Sequence, residues 1–402
     1  MKPEEIIEFQ ACIDNFINYL NKQNYSKCSI ERFSYHLSLF KEFCLQNRRC
    51  DYLSEQVFSD YISSILDYPE CKIKFASRVL NKFIEYSLTG SIHYSYKTSK
   101  DTVQNTEFSE ILMDFKDQLS HSEIKISSQN KQIRTIKLFL NYLENKGINS
   151  LSEISIQNVY QFINNPKFAT ATKSGYSQDL KKFFKFLYAN QKFHISESEI
   201  FPKIIHNTRS KILSFCNKQE LQKIINAIDT DSALGKRDYC IITLAMLLGL
   251  RASDISNLMQ ENIDWNKKII KINQQKTGKE LIQPIPDEVF FALIDYIKNG
   301  RPSTSSRYLF VTNCAPFLKI SSSNLSSITE KYFIRANIDT KSRKHGIHCL
   351  RHSFATNMLE NNIPLPDISA SLGHTYISTT TLYTNVDINK LKKISLEVDI
   401  DE

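Results

Sequence analysis

Apolar residues recur at helical spacing through the first half of the chain, and they do so twice. Phe16-Ile17-x-x-Leu20 leads through Ser29 to Phe40-Lys41-Glu42-Phe43-Cys44-Leu45. Phe115 and Leu119 lead likewise through Ser128 to Phe139-Leu140-Asn141-Tyr142-Leu143. Leu53-Ser54-Glu55 is answered by Leu151-Ser152-Glu153. Leu80-x-x-Phe83-Ile84-x-Tyr86 is answered by Leu180-x-x-Phe183-Phe184-x-Phe186, at an offset that stays near one hundred residues. Residues three and four apart share one face of a helix, so each copy predicts a bundle of about four short helices.

The pattern changes in the second half. Cys240–Leu250 is a largely apolar run, too short to span a bilayer, and reads as a buried helix. Ile269–Asn273 and Leu281–Ile285 read as strands on either side of the polar stretch Gln274-Gln275-Lys276-Thr277-Gly278-Lys279, whose glycine makes the reversal. Asn217 with Glu220 three residues on marks a helix start. Composition shifts at Ser91–Thr106, which has little helical periodicity, and at Phe193–Ser214. The second contains Pro202 and the basic stretch His206-Asn207-Thr208-Arg209-Ser210-Lys211. The expected division is a helical domain over 1–92, a linker over 93–107, a second helical domain over 108–192, a linker over 193–214 and a third domain over 215–402.

Composition narrows the class. Nine glycines and ten prolines in 402 residues favour helix over turn-rich architectures, and 41% hydrophobic with 23% charged residues suits a globular protein. A net charge of +8 permits a polyanionic partner without demonstrating one. The nine cysteines form no Cys-x-x-Cys pair, which favours a reducing, cytoplasmic setting. The start carries no secretory pattern, no apolar stretch is long enough for a membrane, and there is no Gly-x-x-x-x-Gly-Lys-Ser/Thr phosphate loop.

Against that background a spaced set of cations stands out. Arg251 ends the apolar run, where its guanidinium would be costly to bury unless it met an anion or paired with Asp254 three residues on. Lys276 sits on the hairpin, with Lys279 as its rival. His348 and Arg351 are three apart and would face one way on a helix. His345, His348, Cys349 and His352 crowd together as metal ligands might, but Arg351 would repel a cation and the His-Glu-x-x-His pattern is absent. His374 follows Leu372-Gly373, and two tyrosines follow it, Tyr376 and Tyr383. On α-helical spacing, Lys181, Lys182 and Lys185 alternate with Phe183, Phe184 and Phe186 to give one basic and one buried face.

Leu248-Gly249-Leu250-Arg251, Gln275-Lys276-Thr277-Gly278, His348-Cys349-Leu350-Arg351-His352, Leu372-Gly373-His374 and Leu382-Tyr383 follow one another in this order. The set resembles the catalytic signature of the tyrosine recombinases, the phage-integrase family. The resemblance covers about residues 108–390, and 1–92 only by internal analogy. It implies a multidomain, mainly α fold, with two N-terminal helical (SAM-like) bundles before an α-rich catalytic domain holding a small β-hairpin or sheet. The second bundle is similar to the family's core-binding domain.

The resemblance also implies roles. Tyr383 rather than Tyr376 is the nucleophile that forms a 3′-phosphotyrosyl link. Arg251, Arg351 and His374 stabilise the charged transition state, with Asp254 in support, and His348 accepts or donates a proton. Lys276 protonates the leaving 5′ oxygen. No cofactor, metal or ATP is implied. The partners implied are double-stranded DNA, a tetramer of this chain on paired sites, and accessory DNA-bending or directionality factors, with no membrane. Lys181, Lys182, Lys185, Arg209 and Lys211 are candidate DNA contacts, and the setting is the cytoplasm, on the nucleoid. An integrase, a transposase or a chromosome-dimer resolvase would all fit. A type IB-like topoisomerase is the rival enzyme, and a catalytically silent DNA-binding regulator the rival without chemistry.

Overall fold

Four helices, α1 (Pro3–Lys22), α2 (Lys27–Gln46), α3 (Glu55–Ser64) and α4 (Glu70–Thr89), open the computed structural model, which describes residues 2–92, 103–201, 214–340, 343–376 and 379–380. Four more repeat the scheme: α5 (Thr106–Ser120), α6 (Ile126–Asn145), α7 (Ile156–Ile163) and α8 (Thr170–Ala189), followed by the short α9 (Glu197–Ile200). Local chemistry sets their ends. Ser26 Oγ accepts from the Ser29 backbone N–H at 3.3 Å and Asn105 Oδ1 from that of Phe108 at 3.0 Å, each filling one of the donors a helix start leaves open.

The duplication is one of buried positions. Phe9, Ile13, Phe16 and Leu20 of α1 answer Phe108, Leu112, Phe115 and Leu119 of α5, and all eight are buried. Phe33, Leu37, Phe40 and Cys44 of α2 answer Gln132, Ile136, Phe139 and Leu143 of α6. One expected correspondence is of letters only. Ser54 caps α3, its Oγ accepting from Val57 N, whereas Leu151–Glu153 forms a 3-10 turn and the equivalent cap falls to Ser155. Aromatic rings fill both interiors: Phe9 stacks on Tyr52 with centroids 3.9 Å apart, and Phe115 meets Phe183 edge-on at 5.2 Å. Each fully buried phenylalanine contributes roughly 1.5–3 kcal/mol over an exposed one.

By compactness the chain divides into two units, Tyr94–Arg209 and, taken together, Met1–His93 with Ser210–Glu402. In the second unit, residues 214–380 add α10 (Lys218–Asn226), α11 (Ala233–Leu247), α12 (Ala252–Ser256), β1 (Ile263–Asp264), β2 (Ile269–Asn273) and β3 (Glu280–Pro284). They continue with α13 (Asp287–Asp295), α14 (Ser322–Arg335), α15 (Ile347–Glu360) and α16 (Leu365–Leu372). The Asn217–Glu220 pair forms a reciprocal capping box at the start of α10, as its spacing predicts. The apolar run is the body of α11, a helix buried on almost every side that packs on α13 and α15. The three strands form one antiparallel sheet in the order β1-β2-β3, with Ile272 opposite Leu281. β2 has the expected bounds, and β3 begins one residue before the expected strand.

Cys216 and Cys349 bring their sulfurs within 3.6 Å, and the Cys216 N–H donates to Ser353 Oγ at 2.7 Å, which fastens the start of this stretch to α15. Among the described residues no helix is long and apolar enough to cross a membrane. Arg209, Lys211 and Tyr383 lie outside the described residues, as do parts of both expected linkers.

Candidate active site

The end of α11 turns back on itself through Gly249 to deliver Arg251. Gly249 has φ +60°, and a Cβ there would stand 2.6 Å from Phe354 Cδ1, so the position needs both the left-handed backbone and the missing side chain. Arg251 is then the N-cap residue of α12, with its guanidinium turned inward and only 11% of its side chain exposed. Asp254, on the first turn of α12, lies 3.8 Å from Arg251 Nη1 and accepts the Gln275 N–H of the β2–β3 hairpin at 2.9 Å. One carboxylate thereby faces the arginine and steadies the hairpin that carries Lys276.

His348 and Arg351 both stand on α15, as their spacing predicts. Arg351 is buried. Its Nη1 donates to Gly249 O and its Nη2 to Leu372 O at 2.8 Å, and Nη2 also lies 3.1 Å from His374 Nε2. α16 ends at Gly373, φ +60°, which sets His374 just beyond the helix. The His374 Nδ1 lies 2.8 Å from Thr380 Oγ1. Arg251 Nη2 reaches Gly373 O at 3.5 Å. The two guanidiniums are therefore held by main-chain oxygens at the ends of α11 and α16. Those are the ends where helix dipoles present partial negative charge.

Two glutamines brace the same two helix ends. Gln274 Nε2 donates to Leu372 O at 3.1 Å, while Gln283 Nε2 donates to Ser371 O at 2.6 Å and to Leu248 O at 3.3 Å. A Cβ on Gly373 would meet the Gln274 amide at 2.3 Å. Neither glutamine nor Thr380 stands out in the motif reading. Both glutamines continue the inward positions of their strands, after Ile270 and Ile272 in β2 and after Leu281 in β3. That alternation was the available signal.

Burial first, and then the cations Arg351 and Arg251, hold the His374 imidazole down at about 4. His352, half-buried beside His348 and Arg351, is likewise held at about 4, chiefly by burial. His348 is exposed at one edge, yet the protein around it and then Arg351, Lys276 and Arg251 lower its pKa as well. Lys276 is exposed on the hairpin and close enough to act electrostatically on both His348 and His374.

The structure thus gathers Arg251, Asp254, Lys276, His348, Arg351 and His374 at one place, with Tyr383 outside the described residues. Lys279 lies beyond Gly278 and uses its backbone oxygen to close the hairpin with Gln274 N at 2.9 Å. Tyr376 is largely solvent-exposed. Two of the crowded residues turn elsewhere: His345 Nε2 lies 3.3 Å from a Glu330 oxygen and Cys349 faces Cys216. On α8, Lys182 and Lys185 are exposed and Lys181 half-buried, opposite the buried Phe183, Phe184 and Phe186.

A profile of the phage integrase family matches residues 214–390, the stretch that holds this whole cluster. The tyrosine recombinase XerA of Pyrococcus furiosus is 32% identical over 217 residues, 54% of this chain and 70% of that protein. The chain belongs to the phage integrase family of tyrosine recombinases and integrases. A putative integrase/recombinase of Sinorhizobium fredii is 32% identical over 196 residues, 48% of this chain, and the chain spans about half of that relative's length, 47%. The fold is similar to that of lambda integrase, solved as a dimer bound to a core site. The match has a TM-score of 0.55 at 16% identity and covers 68% of this chain and 94% of that one.

Proposed function

We propose that the chain is a site-specific DNA recombinase that cuts and rejoins duplex DNA through a 3′-phosphotyrosyl intermediate. Tyr383 Oη attacks the scissile phosphorus, the bond to the 5′ oxygen breaks, and Lys276 supplies that oxygen's proton. Arg251, Arg351 and His374 take up the charge on the non-bridging oxygens, and His348 accepts the tyrosine proton. Asp254 keeps Arg251 and the hairpin in place. The reverse attack by a 5′ hydroxyl reseals the strand, so no nucleotide is consumed. The electrostatic task that a metal ion performs in other phosphoryl transfers falls to the guanidiniums.

One observation carries this reading. Arg251 Nη1 is buried without a hydrogen-bond acceptor among the described residues, beside a second arginine and a neutral imidazole. A buried guanidinium N–H left open is costly, and a phosphate oxygen is the acceptor its planar fork fits. The relatives named integrase or recombinase favour strand exchange over relaxation alone. In this reading 1–92, 108–192 and 215–402 act as three modules, and Lys181, Lys182, Lys185, Arg209 and Lys211 contact the DNA backbone. The active form is a tetramer on paired sites, helped by DNA-bending or directionality factors, on the nucleoid in the cytoplasm.

The test uses nicked suicide duplexes carrying the sequences that flank the chain's own gene. The parent protein is expected to form an adduct that persists in denaturant and survives EDTA. Tyr383→Phe is expected to bind the same duplex and form none. An adduct that persists in Tyr383→Phe and vanishes in Tyr376→Phe would place the nucleophile at the other tyrosine, and strict Mg²⁺ dependence would refute the electrostatics.

A further inference from the structure

His374 is held at both ring nitrogens, and the two contacts are not equivalent. At Nε2 the neighbour is Arg351 Nη2, 3.1 Å away. A guanidinium carries only donors, so Nε2 must offer its lone pair. A neutral imidazole that accepts at Nε2 carries its hydrogen at Nδ1, and Nδ1 faces Thr380 Oγ1 at 2.8 Å. Thr380 is fully buried, so this hydroxyl does not compete with bulk water.

We infer that Thr380 is a positioning residue that holds a hydrogen on Nδ1 of His374, so that any second proton enters at Nε2, the nitrogen on the side of the arginines. The inference rests on the phosphoryl-transfer reading of the site. As charge builds on a phosphate oxygen, Arg351 Nη2 turns to it and releases the Nε2 lone pair. One proton from solvent then binds Nε2, and the ring donates to the phosphate from Nε2 and to Thr380 from Nδ1. No bond other than N–H forms, and the ring charge rises by one.

Without the Thr380 oxygen only the 3.1 Å contact with Arg351 would select the tautomer, and a ring freed at Nδ1 could rotate away from that contact and carry its hydrogen on either nitrogen. Arg351, Arg251, His352 and Lys276 all oppose protonation of the ring, so the step waits for the negative charge of the phosphate. Thr380 also lies three residues before Tyr383 in the sequence.

The test compares Thr380→Val, which keeps the shape and drops the hydroxyl, with Thr380→Ser, which keeps the hydroxyl. Full-length protein labelled with ¹⁵N-histidine reports the tautomer, and His374→Gln assigns the signal. Parent and Thr380→Ser are expected to show hydrogen on Nδ1, and Thr380→Val a mixture or the Nε2–H form. On the suicide duplex, Thr380→Val should cleave roughly 10–100-fold more slowly than the parent, the loss typical when a side chain's orienting partner is removed. Its acid-side pH profile should be altered, its DNA affinity unchanged, and Thr380→Ser should recover most of the rate. Thr380→Val with the parent's tautomer and the parent's rate overturns the inference. If no variant cleaves any duplex, the functional reading fails, while the tautomer measurement still decides whether Thr380 orients the ring.

Discussion

His348, His352 and His374 all titrate below the ordinary histidine range, His352 and His374 at about 4. The unfolded chain, with imidazoles near ~6.5, binds more protons than the folded one between those limits. The stability that these three groups contribute is therefore full above about pH 6.5 and falls as the pH drops through the window toward about 4. Urea unfolding followed at several pH values should show this fall, and His352→Gln should flatten it; a pH-independent midpoint would contradict the assignment. At this scale the cations were legible because their chemistry is tied to short local sequences such as His348-Cys349-Leu350-Arg351. Gln274, Gln283 and Thr380 were not, because their importance comes from carbonyls and ring nitrogens that only the folded chain brings near.

In the proposed mechanism the β2–β3 hairpin is the element on which the leaving-group step depends. The Asp254–Gln275 contact anchors one side of its tip, and Thr277 Oγ1 donates to Gln274 Oε1 at 2.8 Å on the other, which leaves Lys276 exposed between them. Lys276→Ala should cleave ordinary DNA about 10²-fold or more slowly, the usual contribution of a positioned proton donor. It should recover on DNA with a 5′-bridging phosphorothiolate, since a thiolate departs without a proton, whereas Arg351→Ala should not. Equal impairment of Lys276→Ala on both substrates would make the lysine a binding residue and turn attention to Lys279. Strand alternation and one glycine made this hairpin readable in advance. The two-residue β1 escaped notice because so short a strand leaves no period to detect.

Across the whole molecule the repeated bundles set the question of what the first copy adds. Its buried positions match those of the second, so the repeat was visible wherever large apolar residues recur. It misled at Leu53-Ser54-Glu55, where three shared letters occupy different places in the helical scheme. Lys22, Lys27 and Arg32 lie around the start of α2. Deleting residues 1–100 removes none of the proposed active-site groups, so the truncated protein should still cleave a short suicide duplex. It should bind longer DNA more weakly, with a salt dependence shallower by about 0.9 per lost phosphate contact. A folded truncation that cannot cleave, or one whose footprint and salt slope are unchanged, would end this division of labour.

Most of the acceptors around the two guanidiniums belong to the main chain, at Gly249, Leu372 and Gly373. Every amino acid brings the same carbonyl, so what the arginine meets at Leu372 depends on where the main chain runs and not on the chemistry of the side chain, which is buried in the core beside it. A substitution that leaves this backbone in place therefore leaves the cradle of the two guanidiniums in place as well, whatever side chain it brings.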